Sequence, residues 1–250
     1  MTDTLRSSEV KATTGNGYLM ALLGLLCMFG GLGMVIARMA VTLPGIAMVL
    51  GLVAGGGLIL AGLYMLQPNE AAILTLFGQY TGTDRNEGLR WANPLARRQK
   101  ISLRARNLNA PTLKVNDKRG NPVEIGAVVV WRVADTAQAV FDVDDFERYV
   151  GVQAEAAIRH LASMYAYDEG EDLAPGEHTL RGGMESVSRA LSDELQQRFE
   201  AAGVDVLDAK LSHLAYAPEI AQVMLRRQQA EAIISARTKI VHGAVSMVEA

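Results

Sequence analysis

The residues with the most obvious chemical potential are four histidines and a short acidic run. The histidines are His160, His178, His213 and His242, and the acidic run is Asp142, Asp144, Asp145 and Glu147. No histidine has a second ligand at metal-binding spacing, and a metal site needs three or four convergent ligands. The acidic run lacks the pattern of an EF-hand loop. We interpret it as the capped, solvated start of a helix and expect no metal site.

Motifs for catalysis are also missing from the sequence. It contains no G-x-S-x-G elbow, phosphate-binding loop or H-E-x-x-H motif. The only cysteine, Cys27, cannot form a disulfide within one chain. A net charge of −3 does not resemble the basic balance of a nucleic-acid binder. We expect no catalytic residue, no cofactor and no nucleic-acid partner.

A basic cluster of Arg97, Arg98 and Lys100 points to a different kind of chemistry. These cations could bind anionic lipid headgroups, at about 1 kcal/mol per residue near the surface. The alternative is a solvated loop, and we favour headgroup contact. The cluster must therefore be placed close to a membrane by other parts of the chain.

Two apolar segments, residues 18–37 and 45–66, provide that placement. A bilayer core of about 30 Å needs about 20 apolar residues as helix, and both segments are long enough. A signal peptide is a weaker interpretation, because the first segment exceeds a usual h-region and a second one follows at once. The residues between them, 38–44, include Arg38 and Pro44, which can break a helix.

The distribution of basic residues predicts the orientation of this anchor. Residues 84–106 carry seven arginines and lysines against two acidic residues, and basic segments tend to remain cytoplasmic. We expect the soluble part in the cytoplasm and the anchor in the inner (cell) membrane. The two segments either cross the bilayer fully or enter and leave the same leaflet.

Glycine is frequent in both apolar segments. Gly51 and Gly55 have the small-x-x-x-small spacing that lets membrane helices approach closely. The spacing predicts a contact either within the hairpin or between subunits. The alternative is that membrane helices simply tolerate glycine.

The soluble part begins with strand patterns. We predict strands over 70–78 and 100–106, a turn-like segment over 79–88, and a hairpin formed by 112–115 and 123–133 around the turn residues 116–122. In the second arm of that hairpin one face carries only Val, Ile, Ala and Trp, which indicates a well-covered antiparallel sheet.

Helical patterns follow. We predict helices from Asp144 or Asp145 to about Tyr165, within 178–202 and ending at Gly203, and from Pro218 onward, with a strand over 204–214 between the last two. The last helix has apolar positions spaced by multiples of three or four, interrupted at 226–229, and lacks a stop signal at Ala250. We expect this stripe to mediate oligomerisation as a coiled coil. Its predicted contact residues are Ile220, Val223, Ile233, Ile240 and Val248.

Several runs of sequence, in order, resemble one known family. They are Q-P-N-E-A-A-I-L at 67–74, F-G at 77–78, G-L-R-W-A-N-P at 88–94, V-N-D at 115–117, V-V-V-W-R-V at 128–133, F-D-V at 141–143 and H-L-A-Y-A-P-E-I-A at 213–221. Together they are similar to an SPFH (band 7) domain, from the stomatin, prohibitin and flotillin superfamily. Two clear spans replace the single kinked segment of the stomatin pattern.

The resemblance implies an α+β fold, with an antiparallel sheet and packed helices. The resulting division is a tail at 1–17, a membrane anchor at 18–66, an SPFH domain at 67–217 and the start of a coiled-coil helix at 218–250. The family also implies homo-oligomeric rings or cages on membrane lipids, and association with membrane proteases or transporters.

Our leading hypothesis is a non-enzymatic, oligomeric scaffold that organises a membrane microdomain. A regulatory subunit of a membrane protease or transporter is the alternative. An enzyme, for instance a hydrolase, is a third hypothesis, against which the missing nucleophile–base pair argues.

Overall fold

The computed structural model describes residues 7–36, 42–168 and 178–248, although the side chain of Val248 lies outside this description. The predicted break at Arg38 also falls outside it. The chain forms two compact units, which we describe separately. The first contains described residues of 1–106, 131–149 and 199–205, and the second those of 107–130, 150–198 and 206–250.

Two apolar helices dominate the first unit. Helix α1 spans Gly17–Ile36 and helix α2 spans Leu43–Ala61, with mean hydropathies of 2.4 and 2.1. Only 11% and 6% of their residues are buried, so neither is the core helix of a soluble domain. Pro44 in the first turn of α2 suits a helix start, where its missing N–H leaves no bond unmade. Length, composition and exposure are those of membrane-spanning helices.

The two helices approach each other through glycine. A Cβ at Gly56 would lie 2.9 Å from the Gly24 carbonyl oxygen and 2.9 Å from Met28 Cγ. A Cβ at Gly24 would lie 2.8 Å from Leu60 Cδ2. Because no side chain separates the backbones at Gly24 and Gly56, these two positions set the closest contact between the helices.

The prediction that the second membrane segment extends over residues 45–66 is wrong at its C-terminal end. Helix α2 stops at Ala61, and Leu63–Leu66 forms a strand, β2. Tyr64 and Leu66 are buried whereas Met65 is exposed, which is the period of two that defines a half-buried strand. Hydropathy alone could not separate these residues from the helix, because both are apolar.

Two three-stranded antiparallel sheets complete the first unit. In one, the order is β1-β5-β2, and in the other it is β4-β3-β6. The additional strands are β1 at Gly15–Asn16, β3 at Glu70–Leu76, β4 at Gln79–Asp84, β5 at Gly88–Trp91 and β6 at Arg97–Ser102. A short helix, α3, spans Thr136–Phe141.

Two sequence predictions in this region are corrected. The turn-like segment 79–88 contains strand β4, because the chain turns tightly at Phe77 and Gly78, where φ is +50° and +87°, and pairs back on β3. The strand predicted over 100–106 ends at Ser102. Only Ile101 of its supposed apolar face is buried, and Ala105 is exposed.

The third sheet has the order β10-β9-β7, with β8 also paired to β9. Its strands are β7 at Arg106–Asn109, β8 at Leu113–Asn116, β9 at Pro122–Val133 and β10 at Val204–Tyr216. The predicted hairpin is confirmed by the register of β8 and β9, in which Val115 lies opposite Val123. Every predicted inward position of β9, alternate residues from Val123 to Val133, is buried.

Three long helices follow the predicted order. Helix α4 spans Phe146–Met164, α5 spans Met184–Phe199 and α6 spans Pro218–Val248. Asp145 caps α4 by accepting hydrogen bonds from the backbone N–H of Glu147 and Arg148. Helix α5 begins within the predicted range, at Met184, whose side chain is 56% exposed. Gly203, at φ +63°, ends the single 3-10 turn after α5.

The glycine contact yields a prediction for the hairpin. Gly56→Leu should destabilise the packing of α1 on α2 by about 1–3 kcal/mol, because the added side chain meets backbone that cannot move aside. A Cβ at neighbouring Gly57 has open space, so Gly57→Leu is the matched control. The measurement is the thermal midpoint in detergent. Equal midpoints for the two variants would show that the glycine contact does not hold the hairpin.

Candidate functional site

Residues 7–16, the N-terminal strap, lie against the sheets of the first unit. Val10 accepts a hydrogen bond from Thr83 N at 2.8 Å, and Ala12 N donates to Thr83 O at 3.0 Å. Strand β1 then pairs with β5, with Gly15 opposite Trp91. The strap precedes α1 directly. Both ends of the hairpin are therefore joined to one unit, since β2, which leaves α2, pairs with the other edge of β5.

A charged clasp holds the strap. The Glu9 carboxylate accepts two hydrogen bonds from the Arg85 guanidinium, at 2.6 and 2.7 Å. It also accepts from the backbone N and the hydroxyl of Thr136, at 2.9 and 2.8 Å. Bidentate pairing of this kind is among the stronger polar contacts. The Glu9 carboxylate therefore links the strap to Arg85, in the turn after β4, and to Thr136, at the start of α3.

A second polar network, around Asp84, lies between the two ends of the hairpin. Asp84 is 1% exposed and accepts a hydrogen bond from the Tyr64 hydroxyl at 2.6 Å. Arg90 donates to Asp84 at 3.3 Å and to the Thr14 hydroxyl of the strap at 2.6 Å. Asn86 donates from its backbone and its side chain. The network links the strap, β2, β4 and β5 by hydrogen bonds that are shielded from water.

The charge state of this network follows from its contacts. Burial would raise the pKa of Asp84, but hydrogen bonds from Tyr64 and Asn86 and the charge of Arg90 outweigh it, so the pKa lies below its usual value. Burial and the bond to Asp84 raise the pKa of Tyr64. For Glu9 burial is likewise outweighed by the bonds from Arg85 and Thr136, which lower its pKa. Both carboxylates are therefore ionised at neutral pH.

The C-terminal end of α2 is capped by side chains from β5 and β6. Trp91 Nε1 donates to Ile59 O at 2.8 Å, and Arg98 donates to Ala61 O at 3.0 Å and to Leu63 O at 3.2 Å. Ile59 O also accepts a hydrogen bond from Gly62 N at 3.1 Å, and a cation near the last carbonyls of α2 complements the helix dipole.

Two of the three cations predicted to contact the membrane are thus used within the chain. Besides Arg98, Lys100 donates to Met65 O at 2.7 Å. The Arg97 side chain is exposed. Contact of the cluster with headgroups stays a prediction. The structure adds that the cluster lies where α2 ends, as headgroup contact requires.

Gly51 and Gly55 do not form the contact between α1 and α2. A Cβ at either position would meet nothing within 4 Å. The prediction that Gly51 and Gly55 mediate a contact within the hairpin is therefore wrong. The contact between subunits stays a prediction.

Helix α6 is fixed at its start and exposed beyond it. Ala217 N donates to Pro122 O at 2.9 Å, Lys114 forms an ion pair with Glu219, and Gln228 donates to Asp168 at 3.0 Å. Of the residues predicted to mediate oligomerisation, Ile220 is half-buried, while Val223, Ile233 and Ile240 are 65%, 55% and 71% exposed. The side chain of Val248 lies outside the described residues.

Several of the remaining sequence candidates have structural contacts. Asp142 accepts a hydrogen bond from Ser7 N, and Glu147 pairs with Arg106. His160 lies 3.3 Å from Glu194, which places one acidic partner beside it. In the described ranges 7–36, 42–168 and 178–248, no group of three or more His, Cys, Asp and Glu could hold a metal ion.

Sequence reasoning missed the polar residues that matter most here. Glu9 is one of a few balanced charges in a tail, and Tyr64 lies within an apolar run, two residues before its end. Asp84 stands in a segment that the sequence predicts to be turn-like. Nothing local to these residues indicates burial, because Arg85 and Thr136, which bind Glu9, and Tyr64, which binds Asp84, are distant from them in the sequence.

Comparison with known proteins is consistent with this architecture. Residues 64–243 match the model for the SPFH domain / Band 7 family. The chain belongs to that family. It is also similar to Protein HflC of Treponema pallidum (strain Nichols), with 21% identity over 218 residues, which cover 74% of this chain and 66% of the relative. The family match begins within β2, at Tyr64 rather than after it, in agreement with the end of α2 at Ala61. Family membership and two exposed apolar helices indicate membrane association.

Removing the buried charge should weaken the first unit. Asp84→Asn should lower its stability by about 2 kcal/mol at neutral pH, since Arg90 and Tyr64 lose a charged acceptor. Both tryptophans, Trp91 and Trp131, lie in this unit, so their fluorescence reports its thermal unfolding in detergent. Glu87→Gln, at an exposed carboxylate nearby, is the control.

The stability of the first unit should depend on pH differently in the unmodified chain and in Asp84→Asn. The folded pKa of Asp84 is below its unfolded value, so its contribution is complete above about pH 5 and is lost as pH falls through about 3.9 and below. The difference in stability of the first unit between the unmodified chain and Asp84→Asn should therefore become smaller as the pH falls. A difference that stays constant down to about pH 3 would contradict an ionised, stabilising Asp84.

Proposed function

We propose that this protein is a non-enzymatic scaffold that assembles into a homo-oligomeric ring or cage on a membrane and organises a microdomain there. The observation that carries the proposal is the double attachment of the hairpin, through β1 and β2, to the two edges of β5. A domain attached at both ends of its anchor, with no linker between Ala61 and β2 beyond Gly62, has little freedom to leave the surface.

The proposed location is the cytoplasmic side of the inner (cell) membrane. The support is the excess of basic residues after α2, which tend to remain cytoplasmic. The strap supports a second part of the proposal, that the N-terminus shares the side of the soluble domain. The exposed side chain of Arg97, together with neighbouring Arg98 and Lys100, is proposed to attract anionic headgroups.

Self-association is proposed to use α6. Exposed apolar side chains recur there at seven-residue intervals: Ile233, Ile240 and Met247 form one row, and Ile234 and Val241 lie beside it. A seven-residue repeat is the spacing that packs helices in a coiled coil. A lone helix would leave these side chains in water, so a second copy of α6 is the proposed partner.

A regulatory subunit of a membrane protease or transporter is the second candidate. Its support is family membership and an open groove of about 580 Å³ in the second unit. The groove is lined by both signs of charge, including Asp168, Arg181 and Glu231, which suits a polar protein segment. Purification that recovers only this chain, with no protease or transporter, would argue against this candidate.

The assembly is tested by mass photometry of detergent-extracted protein. We expect a large oligomer, and Ile240→Glu should reduce it to small species because a charge enters the packed row. Ser246→Glu, on the opposite side of α6, is the control and should leave the assembly intact. A monomeric unmodified chain would overturn the scaffold proposal.

A further inference from the structure

Two turns of the first unit lie at the end of the sheets from which the membrane helices depart. Strands β3 and β6 pair in the register Leu74 opposite Arg98, and Arg98 contacts the last carbonyl of α2. Phe77, in the β3–β4 turn, is three residues further along, about 10 Å at strand spacing. Leu95, in the β5–β6 turn, is three residues before Arg98. Both turns are therefore at or past the level where α2 ends.

Phe77 has an unusual combination of backbone conformation and exposure. Its φ is +50°, in the left-handed region that a bulky side chain rarely adopts, and its side chain is 85% exposed. Gly or Asn would fit this turn without strain. An aromatic ring here stabilises nothing within the described parts of the chain, so strain and exposure together indicate an external contact.

Leu95, in the adjacent turn, is a second exposed apolar side chain. It is 66% exposed, and the turn is held rigidly by Leu95 N donating to the Asn93 side chain and Ala96 N donating to Asn93 O. Exposed Arg97 follows two residues later. Apolar residues beside a cation, at the end of a membrane helix, have the composition of a bilayer interface.

We propose that Phe77 and Leu95 insert into the headgroup–acyl boundary of the leaflet from which α1 and α2 depart. The partner is a lipid surface with anionic headgroups. With the hairpin, the two turns give the first unit additional, separate contacts with the bilayer, which fix its orientation. This deepens the proposed function, since it rests on the membrane attachment but not on oligomerisation.

The experiment places a fluorescent label on Phe77→Cys or Leu95→Cys in the full chain, with native Cys27 replaced by Ala. The protein is reconstituted in vesicles of phosphatidylcholine with about 25% phosphatidylglycerol. Quenching by lipids with a nitroxide near the headgroup is compared with quenching by aqueous iodide. Glu87→Cys, an exposed position in the β4–β5 turn at the opposite end of β4 and β5, is the matched control.

We expect lipid quenching of the labels at 77 and 95 to exceed that at 87 by about threefold or more, with the reverse order for iodide. Iodide quenching as strong at 77 as at 87 would overturn the proposal. Protection of 77 from both quenchers would also overturn it, because the turn would then contact protein.

A second variant separates membrane contact from folding. Phe77→Asn keeps the left-handed turn, so the thermal midpoint should stay equal or rise, while lipid quenching at Leu95→Cys should fall. Unchanged quenching at 95 would show that Phe77 is not an anchor. A chain that is monomeric but quenched by lipid at 77 and 95 would refute the scaffold and leave this inference standing.

Discussion

Strand β5 is paired along both edges, and the anchoring of the membrane hairpin depends on that arrangement. One edge carries the strap that enters α1, and the other carries the strand that leaves α2. A short strand is marginal alone, so further contacts are needed to hold it. Buried Asp84 provides them, because it accepts hydrogen bonds from Tyr64 on β2 and from Arg90 on β5 itself. The buried Asp84 carboxylate thus joins β2 and β5, which would move independently if only a flexible linker connected them.

The hairpin and the polar networks solve different physical problems. Between α1 and α2 no hydrophobic driving force operates in lipid, so close packing at Gly24 and Gly56 must hold the helices together. At the surface the backbone groups at the end of α2 need partners, and Trp91 and Arg98 supply them. The membrane anchor and the soluble sheets are in this way one continuous structure, and a membrane scaffold requires that its domain does not drift from the surface.

Much of the fold could be predicted from local pattern. The hairpin of β8 and β9, the cap at Asp145 and the stop at Gly203 follow from turn residues, capping residues and periodicity, and the structure has them all. The boundary of α2 could not be predicted, because the residues of β2 are as apolar as the helix they follow. Strand β4 was missed since its Gly82 and Asp84 are turn-forming types whose burial depends on the strap.

The sequence by itself determined that two long apolar segments precede an SPFH domain, because hydropathy, turn chemistry and motif order are properties of short stretches of chain. Only the tertiary structure decided which glycines bring the helices together, that Arg98 and Lys100 bind backbone carbonyls, and that Glu9 directly, and Asp84 through Arg90, hold the strap. Most of these contacts join residues 20 to 127 positions apart, and a contact of that range depends on where the strands place each partner, which composition and spacing do not record.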